Sequence, residues 1–250
     1  MKPHLAHFRF HGCLEDFLPP EQRKQFIPYS FPGNPAIKDP VEALGVPHSE
    51  VGGIEVNGHT VELRYQLQDS DRVEVFPRDA LTADPRFIVD VNLGKLARYL
   101  RLLGFDTEWR NDLRDKEIVA VSTRKQRTIL TRDRRLLFHR EIRHGYWIRA
   151  VNPNLQVPEV LNRLDVWQYI RPFRRCALCN GLIQVVAKEE ILDKLEPLTR
   201  KYYDKFYRCT GLRADLLERQ PLRQTDEKAE EFQRSCVKSL PSARLRGKSW

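Results

Sequence analysis

Apolar and polar residues alternate over short runs in the first 80 residues of the chain. A period of two is typical of half-buried β-strands, and here it predicts strands over 5–10, 54–56, 60–63 and 72–76. Asn57-Gly58, between the second and third of these runs, favours a type I′ hairpin because both residue types tolerate a positive φ. With a short helix predicted over 40–44, the pattern indicates a small α+β domain over residues 1–80.

From Arg86 onward, short apolar runs alternate with segments in which apolar residues recur at helical spacing. The pattern predicts strands over 87–90, 107–109, 128–131 and 146–151, and helices over 93–103, 115–123, 136–137 and 157–167. We therefore expect an α/β domain over residues 86–168, with a mainly parallel sheet flanked by helices. Functional groups of such a sheet lie at the carboxyl ends of its strands. Lys95, Arg98 and Arg101 fall outside the apolar stripe of the first helix and are expected on its other faces.

Composition excludes several classes of protein. The 250 residues contain no apolar run near the ~20 residues that a membrane span needs, and residues 1–10 lack the apolar core of a signal peptide. We therefore expect a cytoplasmic protein without membrane association. The five cysteines are odd in number and thinly spread, which favours reduced thiols or metal ligands over a disulfide framework.

The net charge of +9 is unevenly distributed along the chain. Residues 1–85 carry 8 basic and 13 acidic side chains, residues 86–175 carry 20 and 10, and residues 176–250 carry 15 and 11. A polyanionic partner such as RNA is therefore expected to contact the chain after residue 85. An arginine-rich face that is merely solvated would give the same counts.

Three aspartates stand at positions where an α/β sheet places functional groups. Asp90 and Asp133 follow predicted strands, and Asp115 opens a predicted helix. Such positions converge on one crevice in a doubly wound sheet, and clustered carboxylates favour a hard cation such as Mg²⁺ or Mn²⁺. A cation held there can activate water and stabilise developing charge in phosphodiester hydrolysis. Each aspartate could instead cap a helix, and Asp106 and Asp112 are weaker candidates that suit turns.

Two long strings carry a resemblance to a known family. Phe87-Ile-Val-Asp-Val-Asn-Leu-Gly-Lys-Leu-Ala-Arg-Tyr-Leu-Arg-Leu-Leu-Gly-Phe-Asp106 and Ile129-Leu-Thr-Arg-Asp-Arg-Arg-Leu-Leu137 resemble the RNase domain named after the C-terminal part of the mut-seven exonuclease, a branch of the PIN-like nucleases. The resemblance covers residues 1–211 and implies metal-dependent RNA cleavage. It implies catalytic and metal-binding roles for Asp90, Asp115 and Asp133. Asp115 is the least secure of these, because Asp112 lies nearby.

The N-terminal domain carries a resemblance of its own. Its order of elements and its closing run, Asp69 to Pro77, resemble the β-grasp (ubiquitin-like) domains of small sulfur-carrier proteins. Those carriers end in a free Gly-Gly, whereas Gly52-Gly53 here is internal and Pro77 runs on into the next domain. We therefore reject a carrier role and expect a binding or scaffolding module. Many bacterial members of the RNase family also carry a ubiquitin-like domain at this position.

Cysteines in residues 169–211 indicate an incomplete zinc ribbon. Cys176 and Cys179 form a C-x-x-C knuckle, and Cys209 would begin a second knuckle, but Leu212 stands where its last cysteine is needed. Structural zinc takes four such ligands, so three would hold it weakly. The alternative is a set of unpaired thiols. The family resemblance includes a ribbon with the pattern Arg-Cys-x-x-Cys-Asn, matched by Arg175 to Asn180, and favours the ribbon.

The missing ligand suggests a hypothesis about residues 212–250. Codons permitted for Leu212 to Gln224, read one base later, encode Cys-Gly-Gln-Ile-Tyr-Trp-Lys-Gly-Ser-His-Tyr-Asp, which supplies the absent cysteine. Residues 212–250 would then be a frame-shifted or disordered tail, and Cys236 would have no selected role. The coding DNA decides the question.

The sequence therefore predicts a metal-dependent ribonuclease with an N-terminal β-grasp module. In this interpretation Asp90, Asp115 and Asp133 hold Mg²⁺ or Mn²⁺, and Cys176, Cys179 and Cys209 hold Zn²⁺ weakly. Basic residues position the RNA backbone, and the candidates are Lys95, Arg98, Arg132 and Arg134. The alternative is a non-catalytic RNA-binding adapter whose β-grasp module recruits a protein partner.

Overall fold

The computed structural model describes residues 3–78, 84–172, 174–212 and 215–217. Its strands are β1 (His4–Phe10), β2 (Ile27–Phe31), β3 (Val51–Val56), β4 (His59–Val61), β5 (Arg72–Pro77), β6 (Arg86–Val89), β7 (Asp106–Glu108), β8 (Thr128–Thr131), β9 (Gly145–Trp147), β10 (Ile183–Val186), β11 (Phe206–Cys209) and β12 (Asp215–Leu217). Its α-helices are α1 (Lys38–Ala43), α2 (Gly94–Leu102), α3 (Asp115–Lys125), α4 (Pro153–Arg163) and α5 (Pro197–Tyr202). Of the tail predicted over 212–250, residues 213–214 and 218–250, with Cys236, lie outside the described residues.

The chain divides into two compact units, each built from two separate segments. The first unit comprises Met1–Ala80 and Asp115–Trp147, and the second comprises Leu81–Arg114 and Ile148–Trp250. The first unit therefore joins the predicted β-grasp segment to part of the predicted α/β segment.

The N-terminal segment of the first unit is a five-stranded mixed sheet. Its strand order is β2-β1-β5-β3-β4, in which β1 and β5 are parallel and the other neighbours are antiparallel. Inward residues of β1 and β5, such as Phe8 and Val73, are fully buried. The predicted hairpin is confirmed, since Asn57 and Gly58 have φ values of 53° and 81°. The sequence pattern did not predict β2, whose Pro28 is tolerated because β2 lies at the sheet edge.

The second segment of the first unit supplies α3, β8 and β9. Strands β8 and β9 pair in parallel, with Ile129 opposite Gly145. Strand β9 ends at Trp147 and is shorter than the predicted strand over 146–151. Where a helix was expected around 136–137, a short 3₁₀ helix spans Arg135–Phe138.

The second unit contains the other parallel strand pair. Phe87 of β6 lies opposite Thr107 of β7, and α2 connects the two strands. Gly104 ends this helical segment with a φ of 94°, and a Cβ there would lie 1.9 Å from the carbonyl oxygen of Arg171. Helix α4 begins four residues earlier than the predicted 157, because Asn152 caps it through the backbone N–H of Asn154.

The expectation for Arg101 was wrong. Instead of lying on a polar face of α2, its side chain is only 4% exposed. Its guanidinium donates hydrogen bonds to four backbone carbonyls. Two of them, those of Thr107 and Trp109, belong to β7 and to the residue that follows it. The other two, those of Ala177 and Leu178, belong to the cysteine segment. A buried charge is tolerated when it is fully hydrogen-bonded, which helical periodicity alone does not reveal.

The cysteine segment of the second unit forms a separate small sheet. Strands β10, β11 and β12 pair antiparallel in that order. Ile191 and Phe206 are buried against Val186 and form its small core. In the described part of the chain, no helix is both long enough and apolar enough to cross a membrane.

Candidate active site and cysteine cluster

Asp90 lies directly after β6, at its carboxyl end. Asp90 is only 7% exposed, and the three apolar residues before it are fully buried. Asp90 occupies the N-cap position of a 3₁₀ turn over Val91–Leu93, yet its side chain makes no capping hydrogen bond there. The capping alternative for this carboxylate is therefore not supported. A nearly buried carboxylate at a strand end is the arrangement expected of a ligand or catalytic group.

Asp133 follows β8 and is held in a tight turn. Its backbone N–H donates to Oγ1 of Thr131 over 2.8 Å, and its Oδ1 accepts the backbone N–H of Arg135 over 2.8 Å. Thr131 is fully buried, whereas Asp133 is exposed. The side chain of Thr131 thus anchors the turn that presents Asp133 to solvent.

Asp115 is the first residue of α3 and is exposed. An acid in a first turn also interacts favourably with the helix dipole. The position of Asp115 is therefore consistent with a metal-binding role and with a helix-capping role. Asp112, the other candidate for this role, forms a surface ion pair with Arg110 over 3.1 Å. The roles of Asp90, Asp115 and Asp133 stay predictions that rest on the place of each residue in its own element.

The four predicted RNA-binding residues differ in their surroundings. Lys95, Arg98 and Arg132 are exposed, as a phosphate contact requires. The guanidinium of Arg134 instead donates from Nη2 to the carbonyl oxygen of Phe17 over 2.8 Å. It also lies over the rings of Phe17 and Trp147, at 4.9 and 5.0 Å from their centroids. Arg134 is thus engaged within the first unit.

Asp106, a weaker candidate for the acidic site, forms hydrogen bonds with the cysteine segment. Its Oδ1 accepts the amide of Asn180 over 2.7 Å, and its Oδ2 accepts Nη2 of Arg175 over 3.2 Å. Oδ1 of Asn180 in turn accepts the backbone N–H of Thr107 over 3.0 Å. The first and last residues of the Arg-Cys-x-x-Cys-Asn pattern therefore attach the cysteine segment to β7.

Three cysteines gather at the start of the small sheet. The sulfur atoms of Cys176, Cys179 and Cys209 all lie within 4.8 Å of one another. Among the residues that the structure describes, this is the one group of three potential metal ligands so close together. Gly181 and Gly211 allow the close approach, since a Cβ on either would lie about 3 Å from Sγ of Cys179. The three thiols are free, so they match the soft donor set that zinc prefers.

The thiols of this cluster have unequal acidity. Burial raises the pKa of Cys209 to about 11. Burial also acts to raise the pKa of Cys179, but hydrogen bonds from Gly181 N–H and from the neighbouring thiols outweigh it and leave that pKa below the ordinary value. The backbone N–H of Gly181 lies 3.4 Å from Sγ of Cys179, and that of Leu212 lies 3.5 Å from Sγ of Cys209. Backbone N–H groups directed at sulfur favour the thiolate that a metal binds.

Arg101 connects this cluster to the α/β part of the second unit. Burial lowers the pKa of Arg101, and the charges of Cys179 and Cys176 act in the opposite direction. Its bonds to the carbonyls of Ala177 and Leu178 hold the knuckle between those two cysteines. Sequence reasoning missed this role because α2 alone gives Arg101 no apparent partner.

The architecture defines a class of protein, in which a five-stranded mixed sheet of ubiquitin-like order precedes an α/β part with strand-end carboxylates and a three-cysteine cluster. The family model for the Mut7-C ubiquitin domain matches residues 4–82, and the model for the Mut7-C RNAse domain matches residues 85–214. Because the second match spans more than half of the chain, the protein belongs to the Mut7-C RNAse domain family. No curated protein and no solved structure matches the chain.

Proposed function

We propose that the protein is a metal-dependent ribonuclease that hydrolyses RNA phosphodiesters. The observation that carries the proposal is the nearly buried carboxylate of Asp90, which directly follows β6 inside the matched RNase domain. Asp115 and Asp133 are proposed as its partners from their places at a helix start and after β8. The oxygen donors of three carboxylates suit Mg²⁺ or Mn²⁺. Such a cation, when bound, supplies activation of water and stabilisation of developing phosphate charge.

The chain's own residues would orient the RNA. Lys95 and Arg98 lie on exposed positions of α2, the helix that follows Asp90, and Arg132 lies directly before Asp133. Cations there would attract phosphate groups toward the carboxylates, and this attraction would weaken as salt rises. Buried Thr131 fixes the turn of Asp133, so this carboxylate needs little rearrangement before reaction.

Cleavage of single-stranded RNA with added Mn²⁺ tests the proposal. We expect Asp90→Asn to lose about 100-fold or more in rate while keeping its affinity for RNA, because several kcal/mol of charge stabilisation depend on the carboxylate. Comparing Asp115→Asn with Asp112→Asn identifies the carboxylate near α3, and Asp112→Asn should cleave normally. Metal-dependent activity that survives Asp90→Asn would reject the site. A wild-type protein that binds RNA but cleaves none would favour the adapter alternative.

We also propose that Cys176, Cys179 and Cys209 hold zinc, weakly because the fourth ligand is absent. The three thiols fit the metal, while Leu212 occupies the fourth position of the second knuckle. Purified protein should therefore contain less than one equivalent of zinc, and a chelator should remove it readily. The match to the RNAse domain ends at residue 214, close to Leu212, where the hypothesis of a shifted reading frame over residues 212–250 begins. Sequencing of the coding DNA tests that hypothesis.

A further inference from the structure

The first unit joins the ubiquitin-like module to a segment of the RNase domain through buried polar contacts. Here the module means residues 4–78, and the docking segment means residues 134–147. Ser49 is fully buried, and its Oγ donates to the carbonyl oxygen of Leu137 over 2.9 Å. The backbone N–H of Trp147 donates to Oε1 of Glu50, which is 2% exposed. The two bonds connect residues that are 88 and 97 positions apart in the chain.

His48 adds a third polar contact to this junction. Its Nε2 lies 2.9 Å from the carbonyl oxygen of Ile142, and its Nδ1 faces the carboxylate of Glu42. A carbonyl oxygen can only accept, so Nε2 carries the proton in the first of these bonds. His48, Ser49 and Glu50 are consecutive and all buried. Hydrogen bonds that buried polar groups form across a junction favour its closed state, because separation would break these bonds and require the groups to be solvated again.

Aromatic packing forms the second half of the junction. Trp147 packs against the hydrophobic core of the module, and its ring lies 5.1 Å from that of Phe17. The guanidinium of Arg134 lies over both rings and donates to the carbonyl oxygen of Phe17. Arg134 directly follows Asp133, whose turn is otherwise held by Thr131 and Arg135. The module therefore contacts the residue next to a proposed catalytic carboxylate.

We propose that the ubiquitin-like module acts in cis as a fixed part of the nuclease, with Arg134 as a positioning residue that holds the turn of Asp133. Its docking face is occupied by the docking segment, so this face does not recruit a separate partner. The docking part of the proposal rests on the hydrogen bonds and ring contacts between the module and the docking segment. The catalytic part of the inference rests on the proposed function of Asp133.

Two conservative variants of the full-length protein test the proposal from its two sides. Arg134→Lys keeps the positive charge but loses the planar fork that stacks on two rings and bonds to Phe17. Phe17→Leu keeps an apolar side chain in the module but removes the ring. The matched control is Arg72→Lys, because Arg72 lies 4.0 Å from the centroid of Phe26 entirely inside the module.

Hydrogen exchange measures the docking independently of activity. Backbone amides of residues 135–147 should exchange about tenfold faster in Arg134→Lys and in Phe17→Leu, while Arg72→Lys should match the wild type. Ser49→Ala should give the same local increase, because it removes the bond to Leu137 with little loss of volume. Unchanged exchange in all three docking variants would overturn the proposal.

Single-turnover RNA cleavage and RNA affinity measured without divalent metal test the positioning role. We expect Arg134→Lys and Phe17→Leu each to lower the cleavage rate about tenfold with unchanged affinity, since small misplacements of a catalytic group are costly. The double variant should lose no more than the worse single variant, because both act through one contact.

Two other outcomes would contradict the positioning role of Arg134 or the proposed function itself. If Arg134→Lys cleaves normally and Arg134→Ala only weakens RNA binding, with a salt dependence reduced by about one phosphate contact, Arg134 binds RNA directly and the positioning role is wrong. If the wild type cleaves no RNA, the proposed function fails instead. The exchange measurements then decide the docking alone.

Discussion

Replacing Arg101 with methionine is expected to destabilise the second unit by about 3 kcal/mol. The guanidinium is 4% exposed and donates to four carbonyls, two of them, Thr107 and Leu178, over 2.8 Å. A hydrogen bond from a charged donor contributes about 1.5–3 kcal/mol, so these two short bonds account for about 3–6 kcal/mol. Burial lowers the pKa of Arg101, and relief of that desolvation offsets part of the loss. The lower end of the range is therefore expected.

Thermal unfolding followed by circular dichroism measures this effect. For a chain of this size, 3 kcal/mol corresponds to a fall in Tm of about 6–12 °C. Arg98→Met is the matched control, because Arg98 lies one turn earlier on α2 and is exposed. It should melt within about 2 °C of the wild type, as surface substitutions usually do. An Arg101→Met protein that melts with the control would refute the inference that these bonds hold the cysteine segment to α2 and β7.

Three further outcomes are expected in the second unit and the hairpin. Leu212→Cys should raise bound zinc to one equivalent that resists a chelator, and failure to do so would reject a ribbon lacking only this ligand. In metal-free protein, Cys179 should be alkylated before Cys209, whose reactivity should keep rising toward pH 11, as mass spectrometry across pH can follow. Gly104→Ala should unfold at a much lower temperature than Gly58→Ala, because both have positive φ but only Gly104 would meet a carbonyl oxygen.

Local signals in the sequence predicted much of the fold. The Asn57-Gly58 turn, the strand before Asp90 and the start of α3 at Asp115 all follow from residues within a few positions of one another. Strand β2 was missed because Pro28 argues against a strand until its edge position is known. The family resemblance is confirmed by the matches to both domains.

Tertiary contacts explain what the sequence could not reveal. Arg101 has the spacing of a surface residue on α2. Two of the carbonyls that accept its hydrogen bonds belong to a segment more than 70 positions away. Ser49 and Leu137 are 88 positions apart, and neither carries a local signal of its partner. The cysteine cluster was predictable because the C-x-x-C spacing identifies two of its ligands, and Cys209 stands where a second knuckle would begin.

The first unit is discontinuous in the chain, and this has a consequence for protein synthesis. Its N-terminal part ends at Ala80, but the segment that covers Ser49 and Glu50 is complete only at Trp147. At ~5–20 residues per second, a ribosome needs roughly 3–13 s to make the intervening chain. Until Leu137 and Trp147 have been made, the hydrogen bonds that they form with Ser49 and Glu50 cannot exist. A factor that binds the nascent chain before residue 147 is made would therefore meet the β-grasp segment without its docking segment.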